Sequence, residues 1–126
     1  MLIKNKTGVV EPLLRGDMYL VNLDPIVGRE IGKSRPAVIV QNDIGNKFSP
    51  VTIIVPISSI KEIIKPLPIM VYLEKGEDGL KENSYADCGQ IRTVDKETRL
   101  VTKLGNLSKH KMIELDKAIE ISLALK

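Results

Sequence analysis

The 126-residue chain has little aromatic content: three Tyr, one Phe and no Trp. A module that holds nucleic acid by stacking bases on an aromatic platform is therefore disfavoured, and any RNA contact has to be mostly polar. The single cysteine, Cys88, excludes an intrachain disulfide and any zinc site built on a cysteine cluster, which fits a reducing compartment. The single histidine, His110, rules out a two-histidine acid/base nuclease and, placed where a terminal helix begins, reads as a surface side chain. Apolar runs are short. None approaches the ~18 residues of a membrane span, and MLIKNKTGVVEPLLRGD at the start lacks the apolar stretch of a signal peptide, so a cytoplasmic protein without membrane contact is expected. There is no Gly-rich phosphate loop, no HExxH and no tight carboxylate cluster, and neither a metal nor another cofactor is expected.

What is present suits one compact domain: 43% hydrophobic residues, 28% charged, and a length that buries a real core without crosslinks. A net charge of +3 with 19 Lys and Arg permits a polyanionic partner without demanding one. Residues 1–15, broken by Thr7-Gly8 and Glu11-Pro12, read as an N-terminal arm that adds at most one edge strand, and residues 16–126 as the domain.

β-Forming stretches bounded by turn residues run from Met18 to Leu23, Pro36 to Val40, Val51 to Ile57, Leu67 to Leu73, Ser84 to Cys88, Gln90 to Val94 and Arg99 to Lys103. The second is almost continuously apolar, which predicts cover on both faces. Asn42 to Pro50 is dense in Asn, Gly, Ser and Pro and reads as a turn-rich connection; Gly89 reads as a bulge. After Ser108, a good N-cap, Met112, Leu115, Ile119 and Leu123 recur at helical spacing. The pattern predicts a mainly β fold: a small closed or half-closed antiparallel barrel with a C-terminal amphipathic helix.

Chemistry-bearing side chains gather in GREIGKSRPAVIVQND, where Arg29, Glu30, Lys33 and Arg35 precede a strand, and at Ser58 and Ser59 where another ends. An arginine fork can hold two phosphate oxygens and offset the charge that grows in a phosphoryl transition state, and a serine hydroxyl adds a hydrogen bond. The plainer alternative is a loop salt bridge between Arg35 and Glu30 worth ~0–1 kcal/mol, with Ser58 merely ending its strand. Spacing alone favours that alternative.

The ordered series GDMYLVNLDPIVGREIGKSRPAVIVQND, NKFSP, VPIS and GQIRTVDK, followed by a terminal helix, resembles the MazF/PemK family of toxin ribonucleases from type II toxin-antitoxin systems. The match runs from Gly16 to near the end. It implies an SH3-like barrel of the MazF/PemK/CcdB type with appended helices, and a homodimer that cuts single-stranded RNA, usually mRNA, at short sequences and so arrests translation and growth. Such cleavage needs no metal, because the RNA's own 2′-hydroxyl attacks and leaves 2′,3′-cyclic phosphate and 5′-hydroxyl ends. It further implies a cognate antitoxin with a disordered acidic segment.

Carried onto this sequence, the resemblance makes Arg35 the phosphate-holding charge stabiliser, Glu30 the candidate acceptor of the 2′-hydroxyl proton, and Ser58 the third catalytic group, at a position commonly threonine in the family. Arg29, Lys33, Asn46, Lys47 and Ser59 become the expected RNA contacts, and Gln90 and Arg92 either join them or serve strand packing. Where many members carry Asp or Glu before the QxRT-like segment, this chain has Gly89, and Asp87, two residues earlier, is either the substitute acid/base or a surface charge. Two rival functions share the fold: a toxin that traps a protein such as DNA gyrase, and a barrel that binds RNA without cutting it.

Overall fold

A computed structural model describes residues 2–4, 10–76 and 79–125. Nine strands are present among them: β1 (Leu2–Lys4), β2 (Val10–Pro12), β3 (Asp17–Asn22), β4 (Ser34–Ile39), β5 (Val51–Ser59), β6 (Met70–Leu73), β7 (Ser84–Asp87), β8 (Arg92–Asp95) and β9 (Leu100–Asn106). Three helices accompany them: α1 (Asp43–Phe48), α2 (Lys96–Arg99) and α3 (Lys109–Ser122), with one 3₁₀ turn at Ile60–Glu62. The expected mainly β fold with a terminal helix is the one observed.

Seven strands form one antiparallel sheet in the order β6-β7-β5-β4-β3-β9, with β8 also on β5. At nine residues β5 is the hub. One edge pairs with β4 through Ala37↔Pro56, Val38↔Val55 and Ile39↔Ile54. The other edge changes partner along its length, taking β8 from Val51 to Ile54 and β7 from Ile57 to Ser59. Pro56, lacking an amide hydrogen, falls between those two partners and so interrupts neither ladder. Two register shifts between β3 and β9 add the twist that curls the sheet into a barrel-like, half-closed shape.

The continuous apolar run of β4 is explained by two cores. Val38 faces a cluster with Met18, Val55, Ile57, Leu73 and α3 residues Leu115 and Ala118, whereas Ala37 and Ile39 face a second with Tyr19, Val21, Ile54 and Val94. Each fully buried Leu or Ile in these clusters contributes roughly 1.5–3 kcal/mol through removal from water.

Several expectations need correction. Residues 43–48 are helix rather than turn, because Asn42 caps the helix through its side chain, accepting from the Gly45 N–H at 2.8 Å. The N-terminal strands β1 and β2 pair with each other and form a separate two-stranded sheet instead of an edge on the main one. Leu13, just after them, is 2% exposed and belongs to the second core. Ser108 does cap α3, accepting from the Lys111 N–H at 3.2 Å, and Leu115 is fully buried, but Leu123 lies beyond the helix end and is 55% exposed. No helix among the described residues is long and apolar enough to cross a membrane.

Cys88 ends up inside the first core, 1% exposed, and burial, with Asp87 and Asp116 adding, pushes its thiol up to about 12. A thiol reagent at pH 8 is expected to leave the native protein unlabelled and to label one thiol after denaturation. The raised value also means that the fold favours the protonated form. Stability from this source is intact below the ordinary value of 9.0 and is lost as pH rises towards about 12.

Candidate active site around Arg35

The register of β4 against β5 builds the site. Continuing Ala37↔Pro56 two residues outward sets Arg35 opposite Ser58, though 23 positions separate them in sequence. There the guanidinium donates from Nη1 to Ser58 Oγ at 3.0 Å and from Nε to the Gly32 carbonyl at 2.7 Å. Arg35 is held from both sides, with its side chain only 11% exposed, and Ser58 is 4% exposed. A charged fork fixed in a half-buried position acts through a lower dielectric than one waving in water.

The acid that Arg35 meets is Glu62 rather than Glu30. Nη1 and Nη2 each donate to one oxygen of the Glu62 carboxylate at 3.2 Å. Glu62 closes the 3₁₀ turn that follows β5: Ser59 Oγ accepts from the Lys61 N–H at 3.2 Å, and Glu62 Oε1 accepts from the Ser59 N–H at 3.3 Å. That is a reciprocal capping box, and Ser59-Ile60-Lys61-Glu62 carries its S-x-x-E signature in the sequence. The signature would have placed Glu62 at the end of the Ser58 strand; its meeting with Arg35 needed the sheet register. Arg35, Ser59 and Glu62 line a groove of about 550 Å³, with Lys33, Lys81 and Ser84 also on its wall.

Glu30 is placed elsewhere. Its Oε1 accepts from the Val27 N–H at 2.7 Å within its own loop, and it lines a second cavity of about 240 Å³ with Gln90 and Arg92. Those two residues hold the loop from beneath: Gln90 Oε1 accepts from the Ile31 N–H at 3.2 Å, Gln90 Nε2 donates to the Arg29 carbonyl at 3.4 Å, and Arg92 Nη1 donates to the Leu23 carbonyl at 2.7 Å. Arg99 adds a bond to the Asn22 carbonyl at 3.2 Å. The side chains of Arg29 and Lys33 remain exposed on this loop, which is pinned at its base.

Asp87 is 7% exposed and accepts from the Gly89 N–H at 2.8 Å. A Cβ at Gly89 would lie 2.5 Å from Ile69 Cδ1 and 3.1 Å from Asp87 Oδ1. Any residue there, a carboxylate included, would have to push Ile69 aside and sit next to an existing negative charge.

Two expected RNA contacts lie apart from the groove, at the opposite end of β5. Asn46 is fully buried: its Oδ1 accepts from Thr52 Oγ1 at 2.7 Å and Gln41 Nε2 at 3.1 Å, and its Nδ2 donates to the Gln41 carbonyl at 2.9 Å. The Asn46 carbonyl also accepts from the buried Lys96 ammonium, whose pKa is lowered by that burial. With every polar atom committed inside the fold, Asn46 has no surface to offer RNA. Lys47 is exposed on α1, its ammonium 5.3 Å from the Phe48 ring. His110 is exposed beside Glu114, 3.9 Å away, as a surface residue.

Residues 14–123 match the PemK-like, MazF-like toxin family of type II toxin-antitoxin systems. The chain belongs to that family. It is 48% identical over 111 residues to the Endoribonuclease MazF of Staphylococcus epidermidis, covering 88% of this chain and 91% of that one. The Endoribonuclease EndoA of Bacillus subtilis (strain 168) is 42% identical over 111 residues, with 88% and 94% covered. In fold, the chain is similar to an endoribonuclease from a mycobacterial species solved with its cognate antitoxin, at a TM-score of 0.72 and 22% identity, covering 90% of this chain and 97% of that one. The toxin-family chain thus spans nearly the full length of these relatives, and the Arg35–Ser58 pair lies within the matched residues.

Proposed function

We propose that this chain is the toxin of a type II toxin-antitoxin pair and acts as a sequence-specific endoribonuclease on single-stranded RNA. The observation that carries the proposal is the half-buried Arg35 fork, which lines a groove and is held from behind by the buried Ser58 hydroxyl. The relatives named endoribonucleases at 42–48% identity support it.

In this reading the scissile phosphate docks on Arg35 and Ser58. The 2′-oxygen forms a bond to phosphorus as the bond to the 5′-oxygen breaks, leaving a 2′,3′-cyclic phosphate and a 5′-hydroxyl. Arg35 offsets the charge that grows on the phosphorane, and Ser58 holds a non-bridging oxygen. A proton leaves the 2′-hydroxyl and another reaches the 5′-oxygen; in this reading Arg35 delivers the second and regains a proton from water. Glu30 shapes the loop through Val27, and Arg29 and Lys33 on that loop track the RNA backbone while Gln90 and Arg92 hold it in place. Glu30 is the candidate acceptor of the 2′-proton and Asp87 a candidate acid/base, the first resting on the Val27 N–H and the second on the Gly89 N–H.

The same reading gives the chain a homodimeric state, an antitoxin partner with a disordered acidic segment, and the cytoplasm as its place of action on mRNA. The mycobacterial neighbour solved with its antitoxin supports the partner. The test compares a long single-stranded RNA with the same RNA annealed to its complement. Cutting confined to the single strand is the expected result, and two intact substrates would refute the proposal.

A further inference from the structure

The Arg35 fork already carries an anion. Its Nε faces the Gly32 carbonyl and its inner edge faces Ser58, while Nη1 and Nη2 grip the two oxygens of Glu62 side by side. A guanidinium takes two oxygens of a phosphodiester in that same paired geometry. The edge of the fork on which a phosphate would dock is therefore filled, and the cleavage chemistry described above assigns no task to a carboxylate there.

We propose that Glu62 is a built-in mimic of the substrate phosphate, a displaceable gate that must leave Arg35 before RNA can dock, and so sets the affinity of the site. The inference rests on the ribonuclease reading and adds a residue to it. Three observations support it. The Glu62 side chain is 48% exposed against 11% for Arg35, so the carboxylate has water to move into while the guanidinium stays fixed. Glu62 keeps a second hold when it lets go, because its Oε1 also accepts from the Ser59 N–H and the turn stays capped. The neighbouring cation does not compete for it: Lys61 pairs with Glu82 at 3.4 Å. An ion pair this open to water is a weak tether, and a phosphodiester replaces it with bonds to Arg35 and Ser58 together.

Glu62→Gln is the informative variant, since glutamine serves as well as glutamate in a capping box and the turn is retained. Two quantities decide: the Kd for a fully 2′-O-methylated single-stranded RNA of mixed sequence, which cannot be cut, and the KM and kcat on the unmodified RNA. The expected result is binding about fivefold tighter, a KM lower by a similar factor, and a kcat within about twofold of the parent. If the parent cuts RNA and Glu62→Gln binds no tighter, the gate is refuted and the ribonuclease reading stands. A tenfold fall in kcat at unchanged Kd would also refute it, by placing the carboxylate in the chemistry. A parent that neither binds nor cuts RNA would remove both.

Discussion

Arg35→Ala is expected to lower the rate of RNA cleavage by at least ~10²–10³-fold, the loss seen when one preorganised donor is taken from a developing oxyanion. The figure follows from how the side chain is held. Arg35 is 11% exposed, bonded to Ser58 and Gly32, and needs little reorganisation to meet the phosphate. Stability should fall by only about 1–2 kcal/mol. Glu62 is half in water and keeps its bond to Ser59, while the buried Ser58 hydroxyl and the Gly32 carbonyl each lose one donor. Initial cleavage rates and thermal melts on the same preparation separate the two effects. A folded Arg35→Ala protein cutting at near the parent rate would take Arg35 out of the centre of the site.

Asn46→Ala is expected to do the reverse, costing about 3 kcal/mol of stability and roughly 10 °C of melting temperature while leaving cleavage intact well below the melt. The substitution strands the buried Thr52 hydroxyl, takes a donor from the Gln41 carbonyl and leaves the Gln41 amide only the Val51 carbonyl; all three meet the Asn46 side chain at 2.7–3.1 Å. At the opposite end of β5 from Ser58, this network fixes α1 on the sheet and touches no groove residue. Chemical denaturation beside cleavage at 20 °C measures both. Reduced RNA affinity in a protein of unchanged stability would return Asn46 to the RNA surface.

The contrast between these two residues marks where sequence reading succeeds in this fold. Strands announce themselves because each carries a local pattern, such as the apolar run through Val38 or the β-formers of β3 between turn residues, and the terminal helix because Ser108 and Leu115 fall at the right spacing. Arg35 and Ser58 are legible as types of residue at strand ends. What joins them is register, and register is a property of two strands that no single stretch contains. Glu62 escaped for that reason: its bond to Arg35 spans 27 positions. Asn46 failed differently. The turn-like composition of its segment is real, but Asn42 turned it into a cap, and the bonds from Gln41, Thr52 and Lys96 drew the helix onto the sheet. Glu30 lies near Arg35 in sequence, yet the loop between them takes its carboxylate back to Val27.

Attack by the RNA's own 2′-hydroxyl is tested by the chemistry of the cut ends. A long single-stranded RNA incubated with the purified protein in excess EDTA should be cut at one recurring short sequence, leaving 2′,3′-cyclic phosphate and 5′-hydroxyl termini. Ends bearing a 5′-phosphate, or cleavage that stops when EDTA is added, would contradict attack by the RNA's own 2′-hydroxyl on a phosphate held by Arg35 and Ser58.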